Sequence, residues 1–181
     1  MSEPNEIRVN RAPVLTLWAA VVAERLGHDP DAAITLGRAV AGSSARAKAR
    51  AIGLDESERD DGEHDGAKGE GARHRAAPAR TVHLLGHDVP VAEVKGGVRA
   101  LEHGEPASPR PARAYVERAF GDHLPAVRRA MERLAVSFEP AELNRVGFRL
   151  YERFRPEMPA GAKGWSAKSL LDFARIEGAA D

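Results

Sequence analysis

Cysteine is absent from the 181 residues, which removes disulfides, thiolate nucleophiles, cysteine-ligated zinc and iron–sulfur clusters together. Stability has to come from packing. Net charge is absent too, with 27 acidic against 27 basic residues, so the chain as a whole has no field to draw it to nucleic acid or to an anionic membrane. No apolar run approaches the length of a membrane span, and the polar start "MSEPNEIRVNRAP" lacks the apolar centre of a secretory signal. These absences predict a cytoplasmic chain away from the membrane.

What is present divides unevenly along a length suited to one ordinary domain or two small ones. From Asp55 to Arg80 the sequence reads "DESERDDGEHDGAKGEGARHRAAPAR", with eight carboxylates, five Lys and Arg, frequent glycine and almost nothing apolar larger than alanine. Such a composition cannot bury enough surface to offset its ordering entropy, so 55–80 is expected to be a disordered charged linker. The rest of the chain is left mildly basic.

Before the linker, "APVLTLWAAVVAERLG" predicts a helix with Pro13 at its first position and Val14, Trp18, Val21 and Val22 on one broad face, ended by Gly27. Asp29 followed by Pro30 starts a second helix that runs to about Ile52. After the linker, the runs "TVHLL", "VPVAEV" and "VRAL", separated by Gly86-His87-Asp88 and Lys95-Gly96-Gly97, predict a meander of two or three strands. Helices return with Ser108 as the cap of Pro109 to Phe120, a second run from Leu124 to Phe138, and a third from Pro140 to Arg155. Val127, Ala130, Met131, Leu134 and Phe138 share one face of the second; Leu143, Val146, Leu150 and Phe154 share one face of the third. A short closing helix is expected around Leu170 to Ile176.

Two stretches, "NRAPVLTLWAAVVAERLGHDPDAAITLGRAVAG" and "LYERFRPEMPAGAKGW", resemble a group of small uncharacterised bacterial helical proteins. The resemblance covers parts of both ordered regions and omits the linker. No activity attaches to that group, so it implies no site residues.

The stretch Val21–Val40 invites comparison with a helix-turn-helix, since Ala23 and Gly27 stand where that unit wants alanine and glycine. Its apolar positions are filled by His28 and Ala33, and the would-be reading helix opens with Asp31, which phosphate would repel. That helix instead carries a seam of small residues, Ala33, Gly37, Val40, Ser44, Ala47 and Ala51, at a spacing that lets another helix approach closely. Its other side carries Arg38, Arg46 and Arg50. Arg145, Arg149 and Arg153 recur every four residues on the third C-terminal helix, beside Glu142 and Glu152, and Arg128, Arg129 and Arg133 lie on the helix before it. Arginine binds phosphate bidentately, so both stripes are candidate contacts for an anion or nucleic acid, with a solvated, ion-paired surface as the competing reading.

Catalytic patterns fail on inspection. Around Ser43 and Ser44, "AGSSA" lacks the glycine of a nucleophile elbow; "GAKGEG" has its glycines in the wrong order for a dinucleotide fingerprint; "GAKGWSAKS" has no glycine directly before its lysines. His83 and His87 have a metal-like spacing but sit in strand and turn sequence. No catalytic, metal or cofactor-binding residue is assigned, and an enzyme would need a site assembled from distant segments. The fold predicted is mainly α, of α+β class: a helical hairpin over 1–54, the linker over 55–80, then a small β meander and a three-helix bundle over 81–181. The function expected is a non-enzymatic binding or regulatory module acting through helix packing, self-associating as a homodimer or meeting a protein partner, and using no cofactor. The alternative is DNA binding through the arginine stripes and a degenerate helix-turn-helix-like hairpin.

Overall fold

A computed structural model describes residues 6–51, 80–95, 97–157 and 169–181. Of the expected linker only Arg80 falls among them, and it opens a strand; the rest of that stretch and the turn through 158–168 lie outside the described residues. The architecture is α+β, as the alternating patterns required.

Helix α1 spans Arg11–Arg25, and every residue from Pro13 to Ala23 is buried. Sequence periodicity had assigned it one broad apolar face; it is instead a helix enclosed on all sides. The physical signature is the uncharged run from Ala12 to Ala23, since a helix apolar all round can only be interior. Its first turn begins at Arg11 rather than Pro13, which takes the third helical position, still among those whose N–H has no intrahelical acceptor. The helix closes as expected at Gly27, with φ +107°, where the Gly27 N–H donates to the Glu24 carbonyl and that of His28 to Ala23. Helix α2, Pro30–Ala51, then starts where Asp29 Oδ1 accepts from the Ala32 N–H at 2.8 Å. The two helices form the anticipated hairpin, and α2 packs along α1 over its first half.

Four strands form an antiparallel meander: β2 (Arg80–Leu84), β3 (His87–Val94), β4 (Gly97–Glu102) and β5 (Glu105–Pro106). The last, only two residues long, is too short to leave a periodic trace and was not expected. Leu84, Val89, Val91, Val98 and Ala100 are buried, and α2 lies across β3 and β4. The β2–β3 turn is centred on Leu85-Gly86, with φ +51° and +81°, so His87 and Asp88 belong to β3 and not to the turn. A left-handed leucine is unusual, but a two-residue hairpin turn calls for positive φ at both positions, and Asn144 braces this one. Its side-chain amide accepts from the Leu85 N–H and donates to the His83 carbonyl, both at 2.8 Å, while the Leu85 side chain is buried against Gly147.

Helices α3 (Pro109–Phe120), α4 (Leu124–Val136, after a 3₁₀ turn at Gly121–His123) and α5 (Pro140–Phe154) follow. Ser108 occupies the N-cap position of α3, but its side chain makes no capping hydrogen bond, contrary to expectation. The apolar faces of α4 and α5 are where periodicity put them, except that α4 stops at Val136, short of Phe138; Phe138 and Val146 are only half-buried. All three helices pack on α1, which is therefore the shared axis of the hairpin and the C-terminal helices. Trp18 marks the junction: fully buried, it donates from Nε1 to the Gly147 carbonyl of α5 at 2.9 Å and meets Phe154 edge-on, with centroids 5.4 Å apart.

Residues Leu170–Ile176 are not one helix. Leu170–Asp172 form strand β6, paired antiparallel with β1 (Glu6–Arg8), and a short helix α6 covers Phe173–Glu177. The reason is non-local: Ile7 and Leu171, both buried, are register partners contributed by opposite ends of the chain.

Candidate functional site

The face of α2 carrying Arg38, Ser43 and Arg46 and the face of α3 carrying Tyr115 and Arg118 border one cleft of about 620 Å³. Helical spacing explains the grouping. Residues three, four, seven and eight apart share a side, which aligns Arg38 with Arg46 on α2 and places Arg118 one turn beyond Tyr115 on α3. The sheet supplies the floor through Val89 and Ala100, with Glu102 at its margin.

Two of the three guanidinium groups are oriented by neighbours. Arg38 lies over the Tyr115 ring, 4.3 Å from its centroid, and Arg46 donates to Ser43 Oγ at 3.3 Å. Neither contact neutralises charge. Among the described residues, three arginines thus border the cleft against the single carboxylate of Glu102, while elsewhere arginines meet carboxylates directly: Arg113 binds Asp31, Arg128 binds Glu24, and Arg133 binds Glu177.

The arginines read from sequence separate accordingly. Arg38 and Arg46 reach the cleft; Arg50 lies on α2, with its side chain outside the described residues. On α5, Arg145 pairs with Glu142 at 3.5 Å, Arg153 donates to the Ala179 carbonyl at 2.8 Å, and Arg149 is exposed. Arg118 and Tyr115 were not singled out by sequence reasoning. The signal for them is weak, because nothing local in "YVERAF" says that this face of α3 will look across at α2.

The small-residue seam splits in two. Ala33, Gly37 and Val40 are buried inside the chain, and a Cβ built on Gly37 would lie 2.3 Å from the Thr16 carbonyl oxygen of α1. Close helix approach is realised there, within one protomer. Ser44 is half-buried, and Ala47 and Ala51 are exposed. The start of α2, where a DNA reader would present side chains, is engaged internally: Arg99 of β4 lies 3.8 Å from Asp29 and 3.7 Å from Asp31, and Arg113 of α3 also binds Asp31.

The two histidines of metal-like spacing have different partners. His83 Nδ1 is 2.9 Å from Asp88 Oδ1 across the strand pair, whereas His87 packs beside Phe148, with centroids 6.0 Å apart. Burial, and secondarily the charge of His83, lowers the His87 pKa below 6.5. His28 is likewise lowered by burial and then by Arg80, against an opposing pull from Asp29. Tyr151 is pushed up to about 12, mainly by burial.

A pH dependence follows. Because both histidine pKa values are depressed on folding, protonation favours the unfolded chain, so their stabilising contribution is complete above pH 6.5 and is lost as pH falls through the folded-state values. Melting temperatures recorded from about pH 7.5 to about pH 5 are expected to fall, and to fall less in the His28→Gln, His87→Gln double variant. An equal decline in that variant would place the acid sensitivity elsewhere.

Comparisons with models of known protein families, with curated proteins and with solved structures find no match. Among the described residues, no helix is long and apolar enough to cross a membrane.

Proposed function

We propose that the chain is a binding module whose ligand is an anion held between α2 and α3. The observation that carries this reading is the gathering of Arg38, Arg46 and Arg118 around one cleft where, among the described residues, only Glu102 opposes them. Guanidinium groups suit the role, since their planar forks donate two parallel hydrogen bonds to one oxyanion and stay charged at any physiological pH. Ala33, Gly37 and Val40 of the small-residue seam pack inside the chain. Self-association would have to draw on Ser44, Ala47 and Ala51.

Titration calorimetry with inorganic phosphate and pyrophosphate tests the proposal. Replacing any one of the three arginines by glutamine is expected to weaken binding about tenfold, near the low end of about 1.5–3 kcal/mol for a charge-assisted hydrogen bond. Affinities indifferent to all three substitutions would end this reading. Duplex DNA is the runner-up ligand, favoured by exposed Arg149 on α5. DNA binding lost on replacing Arg145, Arg149 and Arg153, yet kept when the cleft arginines are replaced, would move the function to that helix.

A further inference from the structure

We infer that the ligand of this cleft is an organic oxyanion, with an apolar or aromatic body bearing a phosphate or carboxylate group, rather than a bare inorganic ion. The inference rests on the anion-binding reading and adds the nature of the rest of the ligand. Two independent features support it.

The first is size. A volume of about 620 Å³ lies in the range of small-molecule sites. A five-atom anion would fill on the order of a tenth of it, judging from the roughly 30 Å³ that one water takes in the liquid. The second is the partition of chemistry over the walls. The cations stand on the two helices, whereas Pro90 and Leu101 from the sheet, Ala39 from α2 and Pro111 from α3 line the cleft with apolar side chains that are exposed or half-buried. An anion on the guanidinium groups would therefore leave adjacent apolar wall uncovered, and a hydrocarbon or ring attached to it would remove that wall from water. Arg38 is already held over Tyr115, which limits the ordering that binding must impose on it.

Calorimetry with three probes, inorganic phosphate, phenyl phosphate and benzoate, tests the inference on the intact chain. Phenyl phosphate is expected to bind at least about tenfold more tightly than inorganic phosphate. Ala39→Leu, which fills the apolar wall, is expected to weaken phenyl phosphate while leaving inorganic phosphate unchanged. Ala107→Leu, at the same cleft but in the loop before α3, serves the same purpose should the helix variant not fold as judged by its melting curve. Tighter binding of benzoate than of phenyl phosphate would assign a carboxylate ligand, and the reverse a phosphate ester; either upholds the organic body. Equal affinity for inorganic and phenyl phosphate overturns the inference and leaves the anion-binding reading standing. Binding of none of the three overturns both. Preference for phenyl phosphate that survives both leucine substitutions places the ring outside the cleft and also overturns the inference.

Discussion

Gly37→Ala is expected to destabilise the protein by about 3 kcal/mol, the upper end of the usual cost of overpacking. Two effects oppose each other. Alanine is the better helix former, by about 1 kcal/mol, and an argument from the helix alone would expect a gain. The new methyl, however, would lie 2.3 Å from the Thr16 carbonyl oxygen and 3.1 Å from the Ala20 nitrogen, both backbone atoms of a helix buried on every side. Neither can move without shifting α1, so the steric cost wins. Gly42→Ala on the same helix is the control: among the described residues its methyl would meet only the Arg46 guanidinium, at 3.5 Å, and stability is expected to rise by about 0.5–1 kcal/mol. Thermal melts of the two variants should move in opposite directions, Gly37→Ala falling on the order of 10 °C. A rise in both would show that α1 and α2 are not this close.

Trp18→Ala is expected to cost about 3–5 kcal/mol, a large share of the roughly 5–15 kcal/mol that holds an ordinary domain together. The residue is fully buried, bonds the Gly147 carbonyl and meets Phe154 edge-on, and Phe154 in turn contacts Tyr151. Removing it opens a cavity where α1 meets α5, and it cannot be refilled by a neighbouring glycine. Trp18→Phe, which keeps a ring and loses the N–H donor, should cost about 1 kcal/mol from the hydrogen bond, besides any cavity from the smaller ring. Urea unfolding gives both values. If Trp18→Ala lost no more than Trp18→Phe, the indole would not be the pin between the hairpin and the C-terminal helices.

The same residues show why sequence reasoning reached some features and missed others. The closing turn of α1 at Gly27, the Asp29 cap and the apolar stripes of α4 and α5 all lie within a few positions of the atoms they control. Backbone chemistry ties each to its neighbours, and periodicity reveals it. Gly37 also stood out, through its spacing in a seam of small residues, but its partner did not: close approach by some helix was legible, while the identity of that helix as α1 was not. The unexpected pairing of Ile7 with Leu171 and the Asn144 clamp on Leu85 join segments far apart in the chain. No local pattern specifies such a meeting.

The candidate site divides the same way. Residue chemistry and helical spacing identified Arg38 and Arg46 as a cationic stripe on α2, and equally identified Arg145, Arg149 and Arg153 on α5. Spacing could not distinguish the two stripes, because a helix face looks the same in sequence whether it meets solvent, a carboxylate or a cleft. Burial of α1 at the centre set the positions of the helices around it, and the packing of α2 on the sheet and on α3 then brought Arg118 and Tyr115 opposite Arg38. Local sequence determined which side chains each helix presents; only the packing of distant elements decided which of those faces meet, since that depends on how the whole chain excludes water from a single core.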